Sequence, residues 1–318
     1  MTLMTGSEWV PREYTVVALT TRPVHIVGYD HLIVMAPSAL EGMINQVRTK
    51  FVSMSVEHLT FLPPIGRWYD GEIVEASDGA KELILRGKEL PQLVPREHDP
   101  SPLSEADALP AFAGSGRVTM EVAFEARNFD PDVVAEINET CPLPTKEELR
   151  WSSLPPIEWV LSIPVLWGAI KFGGAFFDEL GHASARALVD WIRGVSNKAH
   201  EPNRDRLITL AFDIDDDRVV YAIIPVAAQS ENPDQHGDDS MRALDSAGQV
   251  ATFAGLVSEG RCTLGDVRRA AFIFDAGQWQ LAWWTDGNQV YRTKWFEQNS
   301  PDPSRFLGRH LLPDDLNR

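Results

Sequence analysis

The chain has 318 residues, 44% hydrophobic and 24% charged, and a formal net charge of −17. That length suits two domains or one large elaborated domain, and the apolar content excludes general disorder. The arginine pairs Arg204/Arg206 and Arg268/Arg269 lie among carboxylates, so the sequence offers no basic face for a nucleic-acid backbone.

From Met1 to Tyr14 there is no basic region followed by an apolar core, so no secretory leader is expected and a reducing, cytoplasmic setting fits. Cys141 and Cys262 stand far apart without metal-ligand spacing, which argues against a disulfide framework or a structural zinc.

β-Rich runs begin at Tyr14: YTVVALT, then VHIVG and HLIVMA around the turn residues Gly28 to Asp30. Leu40, Met43, Ile44, Val47 and Phe51 recur at helical spacing, and Ser38 is placed to cap that helix. Strands SVEHLTFL, GEIVEA and KELILRG follow, the last two joined through Ser77-Asp78-Gly79 as a hairpin. A proline-rich insert occupies positions 90–116, a strand resumes from Arg117, and Pro131 to Ile137 reads as a short helix capped by Asp130. Prolines 142, 144, 155 and 156 mark a domain boundary near position 150.

The unusual passage is Trp159 to Phe177, 19 residues in which Lys171 is the sole charge. A helix of that length spans roughly 28 Å, just short of a hydrocarbon core. Pro164, the buried depth of Lys171 and the missing basic flanks resist a membrane span. Phe176, Leu180, Ala183, Ala187, Leu188, Trp191, Ile192 and Val195 carry helical spacing onward, so one long helix from Pro164 to Val195 is predicted. Three roles compete for it: a scaffold buried between β-rich lobes, an association helix, or a membrane-inserting element released on a trigger. Its candidate contact residues are Trp159, Trp167, Ala169, Phe172, Gly173, Phe176 and Phe177.

Beyond it, RLITLAFDI and RVVYAIIPV pivot on Asp215-Asp216-Asp217, Ser240 to Ser258 is helix-like, and RRAAFIFD, QWQLAWWT and QVYRTKWF form a meander. Trp283 and Trp284 must point to opposite sides of their strand. An exposed member of the Trp279, Trp283, Trp284 and Trp295 group marks a binding surface, whereas a covering layer turns them into core. Asp213, Asp215 and Asp217 are the candidate metal ligands, against the simpler reading of hairpin-turn residues. Nucleophile-elbow, dinucleotide and P-loop patterns are missing from the sequence.

The expected fold is therefore α+β: two β-rich lobes with mainly antiparallel sheets, 1–150 and 201–318, joined by a helical connector at 151–200. The expected function is a non-catalytic interaction or regulatory protein working through the central helix, with a protein partner or self-association. A membrane-associating effector and an Asp-based metal-dependent enzyme are the alternatives. No cofactor, nucleic acid or small-molecule ligand is implied.

Overall fold

The run Ile157–Pro164 is a β-strand in the computed structural model of the protein, which describes residues 10–25, 32–55, 60–94, 121–148, 157–164, 175–200, 206–215, 217–226 and 233–299. The expectation of a helix opening at Pro164 fails there, for a physical reason. A strand covered on both faces loses polar alternation and reads as a continuous apolar run, as a buried helix does. Helix appears later, at Ala175–Ser196, and positions 165–174 lie outside the described residues.

Two principal sheets organise the chain. The smaller is antiparallel in the order β1-β6-β5-β4, from β1 (Glu13–Thr20), β4 (Val52–Met54), β5 (Gly66–Glu75) and β6 (Lys81–Glu89). Helix α1 (Pro37–Thr49) lays Leu40 and Val47 on Leu83 and Leu85 of β6. Pro37 opens this helix with its preset φ, so Ser38 lies inside the first turn and no side chain caps it. A short pair, β2 (Val24–His25) with β3 (Leu32–Ile33), precedes α1.

The larger sheet has nine strands in the order β7-β15-β14-β13-β12-β11-β10-β8-β9. They are β7 (Gln92–Leu93), β8 (Glu121–Glu125), β9 (Thr145–Glu148), β10 (Ile157–Pro164), β11 (Arg206–Asp213), β12 (Val219–Val226), β13 (Arg269–Asp275), β14 (Gln278–Thr285) and β15 (Val290–Arg292). This sheet is mixed, not mainly antiparallel. Strands β10 and β11 run parallel, as do β12 and β13. Parallel neighbours need a crossover, and helices provide both. The first crossover is α3 (Ala175–Ser196) and the second is the pair α4 (Pro233–Ser246) and α5 (Gly248–Ser258). Thus 151–200 is no helical connector: β10 sits inside the sheet between β8 and β11, and α3 belongs to the layer over it.

The helical run expected from Ser240 to Ser258 begins earlier and breaks at Ala247. Beside the break, the Ser246 hydroxyl donates to the Arg242 carbonyl and accepts the Trp279 indole N–H at 3.0 Å. Helix α2 (Pro131–Thr140) matches expectation, although the Asp130 side chain makes no cap bond. The meander turns where predicted: Ala276 and Gly277 take φ of 47° and 86°, a two-residue hairpin turn that suits glycine. Its third strand stops at Arg292, and the chain turns into α6 (Lys294–Asn299).

Helices α3, α4 and α5 cover one face of the large sheet. Leu188, Val189, Ile192 and Val195 of α3 pack there with Ile208, Leu210 and Phe212 of β11. Trp159 lies in that core, fully covered, its indole donating to the Ser196 hydroxyl at 2.9 Å. Trp283 and Trp284 do point to opposite faces, and both are buried.

Candidate functional site

Facing away from the helices, the large sheet meets the segment that follows α1. Phe51 donates its backbone N–H to Asp217, and its carbonyl accepts Arg269 at 3.3 Å. Arg269 also donates to the Tyr221 hydroxyl at 3.1 Å, and its guanidinium lies 5.7 Å from the Phe51 ring centre. Farther along, Thr60 and Thr209 both donate hydroxyls to the buried carboxylate of Glu158, the second at 2.6 Å. A buried carboxylate needs such donors to offset lost hydration. Trp283 closes the contact by donating its indole N–H to the Phe61 carbonyl at 3.1 Å.

Beside Phe61 the cover stops short and leaves a groove of about 260 Å³. Leu207, Ile223 and Ile273, neighbours across β11, β12 and β13, form its floor. Phe61 and the half-buried Trp295 of α6 are its walls. Pro225, Asp275 and Asn299 stand exposed at the mouth. Strand alternation puts the floor residues on one side, and the hairpin at Ala276-Gly277 holds Asp275 at the end of β13.

The three aspartates expected as metal ligands do not converge. Asp215 accepts the backbone N–H of Asp217 and Arg218 and pairs with the Arg218 guanidinium at 2.7 Å, which holds its carboxyl below the usual range despite partial burial. Asp217 is engaged by Arg268 and the Phe51 N–H. Asp213 lies on the sheet face instead. Among the described residues no group of three His, Cys, Asp or Glu side chains is placed to hold a metal ion.

Burial pushes the Asp213 carboxyl above its ordinary range, with Glu121 adding to the effect and Arg269 and Lys146 opposing it. The native state then binds the proton more tightly than the unfolded chain, so Asp213 costs stability as pH rises through its folded-state value. Asp213→Asn is expected to stabilise the protein at pH 7. The gain should fade on acidification and vanish below the unfolded value of about 3.9. Urea titrations at several pH values check this; a gain independent of pH contradicts it.

Of the residues expected to form a contact surface, Trp159 is core, while Trp167, Ala169, Phe172 and Gly173 lie outside the described residues. Phe176 and Phe177 fall on the first turn of α3, and their side chains are also outside the description. Among the described residues no helix is long and apolar enough to cross a membrane. The groove residues escape sequence reasoning because the wall and floor come from five separate stretches. The tryptophan-rich meander was the one legible signal, and Trp295 is the member of that group that reaches the groove.

Comparison with protein-family models, curated proteins and solved structures finds no match.

Proposed function

We propose that the chain is a non-catalytic interaction or regulatory protein that seats part of a protein partner in the groove between Phe61 and Trp295. Trp159 is internal and so does not belong to the working surface in this reading. In this reading the small sheet and the large sheet are the two lobes, and Phe51 and Thr60 to Leu62 lie against the large sheet. The carrying observation is the groove's make-up: an apolar floor, two aromatic walls and polar groups confined to the mouth. Its volume of about 260 Å³ falls below the roughly 300–1,000 Å³ of pockets that enclose a drug-sized ligand. A recess of that size holds a single anchoring side chain within a wider contact, as interface hot spots do. The nearby polar groups already have structural work: Glu158 fixes Thr60, and Arg269 fixes Phe51.

Random-peptide display tests the reading, with Pro225→Trp as a variant that fills the mouth. Peptides enriched on the wild type are expected to bind the variant at least about tenfold more weakly, a difference of about 1.4 kcal/mol. Failure to enrich any peptide, or equal binding to both proteins, sinks the proposal.

A further inference from the structure

We infer that the groove selects a cationic partner: a protein segment whose aliphatic or aromatic side chain is flanked, within one or two positions, by lysine or arginine. This rests on the groove being the docking site, and adds the chemistry of what docks. Asp275 is the observation behind it. Its carboxylate stands exposed at the mouth, and it forms no ion pair with any described residue. Across the turn, Arg242 lies against Gly277 and is paired with Asp239 at 3.1 Å. Arg292, at the end of β15, pairs with Glu297 of α6 at 3.1 Å, so these two charges offset each other. Asp275 is thus the charged residue among those lining the groove, on a chain whose formal net charge is −17. A basic partner is drawn by both, over long range by the net charge and at contact by Asp275. Asn299 also lines the groove and is exposed, and its side-chain amide donates to the Trp295 carbonyl at 2.9 Å.

An aromatic wall favours the same ligand. The methylene stem of a lysine or arginine packs along apolar surface while its charged end reaches outward, and an indole attracts the cation. The occupant therefore places its apolar side chain over Leu207, Ile223 and Ile273 and its cation between Trp295 and Asp275.

The test sequences the peptides enriched on wild type and on Asp275→Lys, an exposed turn-end change that leaves the core untouched; circular dichroism confirms the fold. On wild type a consensus of one apolar residue with an adjacent Lys or Arg is expected, and Asp275→Lys should move the flanking preference to Asp or Glu. For one wild-type peptide, Asp275→Asn should weaken binding about three- to fivefold at low salt, with the difference lost at high ionic strength. Groove-dependent peptides without a basic preference refute the cationic partner while the docking groove survives. No groove-dependent peptide refutes both. Two other occupants are distinguished: a wild-type dimer dissociated by Asp275→Lys in sedimentation assigns the groove to a second copy, and peptide binding that appears only after removal of 300–318 assigns it to that segment. Either result overturns the inference.

Discussion

Replacing Trp159 with alanine is expected to lower the unfolding free energy by about 4 kcal/mol, in the middle of the range for emptying a buried aromatic site. The indole stacks on Phe124 at 5.6 Å and meets Trp191 edge-on at 5.4 Å, with Phe129 at 5.8 Å. Its loss opens a void beneath α3 that three rings cannot fill without leaving their own contacts. A second penalty arises because Ser196, itself fully covered, loses the N–H that it accepts. Trp159→Phe separates the two effects: it keeps most of the ring and should cost about 1–2 kcal/mol. Denaturant midpoints of the three proteins measure this. A surface tryptophan would change stability by no more than about 0.5 kcal/mol, so a small effect of Trp159→Ala would return this residue to the contact surface expected from the sequence.

The second large effect is expected at Gly66, where alanine should destabilise by about 3 kcal/mol through overpacking. Gly66 pairs with Glu89 across β5 and β6. A methyl group there would press into the Lys88 carbonyl oxygen and stand 3.0 Å from its carbonyl carbon and 3.1 Å from the Glu89 Cα. All three obstacles are backbone atoms, so no rotamer change relieves them and the ladder itself must shift. Gly42, on α1, meets nothing within 4 Å of the same added atom. Gly42→Ala is the matched control and should be neutral or stabilising by up to about 1 kcal/mol, because alanine favours helix. Thermal unfolding of both variants checks the contrast; equal midpoints would contradict it.

Local features were legible in the sequence. Ser77-Asp78-Gly79, Asp275-Ala276-Gly277 and Asp286-Gly287-Asn288 announce hairpins because turn geometry depends on adjacent residues alone, and Asp286 does accept the N–H groups of Asn288 and Gln289 at 2.8 Å. Asp215 was readable as a turn residue for the same reason. Strand β10 was not readable: Ile157, Trp159, Leu161 and Ile163 bury one face while Val160 is covered on the other, which erases the alternation that marks a strand. Its parallel pairing with β11 depends on a crossover whose start falls within the ambiguous stretch. The groove was hidden for a different reason. Phe61, Leu207, Ile273 and Trp295 become neighbours through sheet order, which no window of sequence contains.

One pairing also bears on how the chain reaches its fold during synthesis. Strand β7 takes its place in the large sheet only against β15, with Gln92 opposite Val290. Its partner is made about 200 residues later, some 10–40 s at ordinary rates of elongation. Until then Leu93 has no ladder to join, and the Phe61 carbonyl waits equally long for the indole of Trp283. The small sheet can form early from neighbouring strands, whereas the groove comes into being only once α6, with Trp295, has been made.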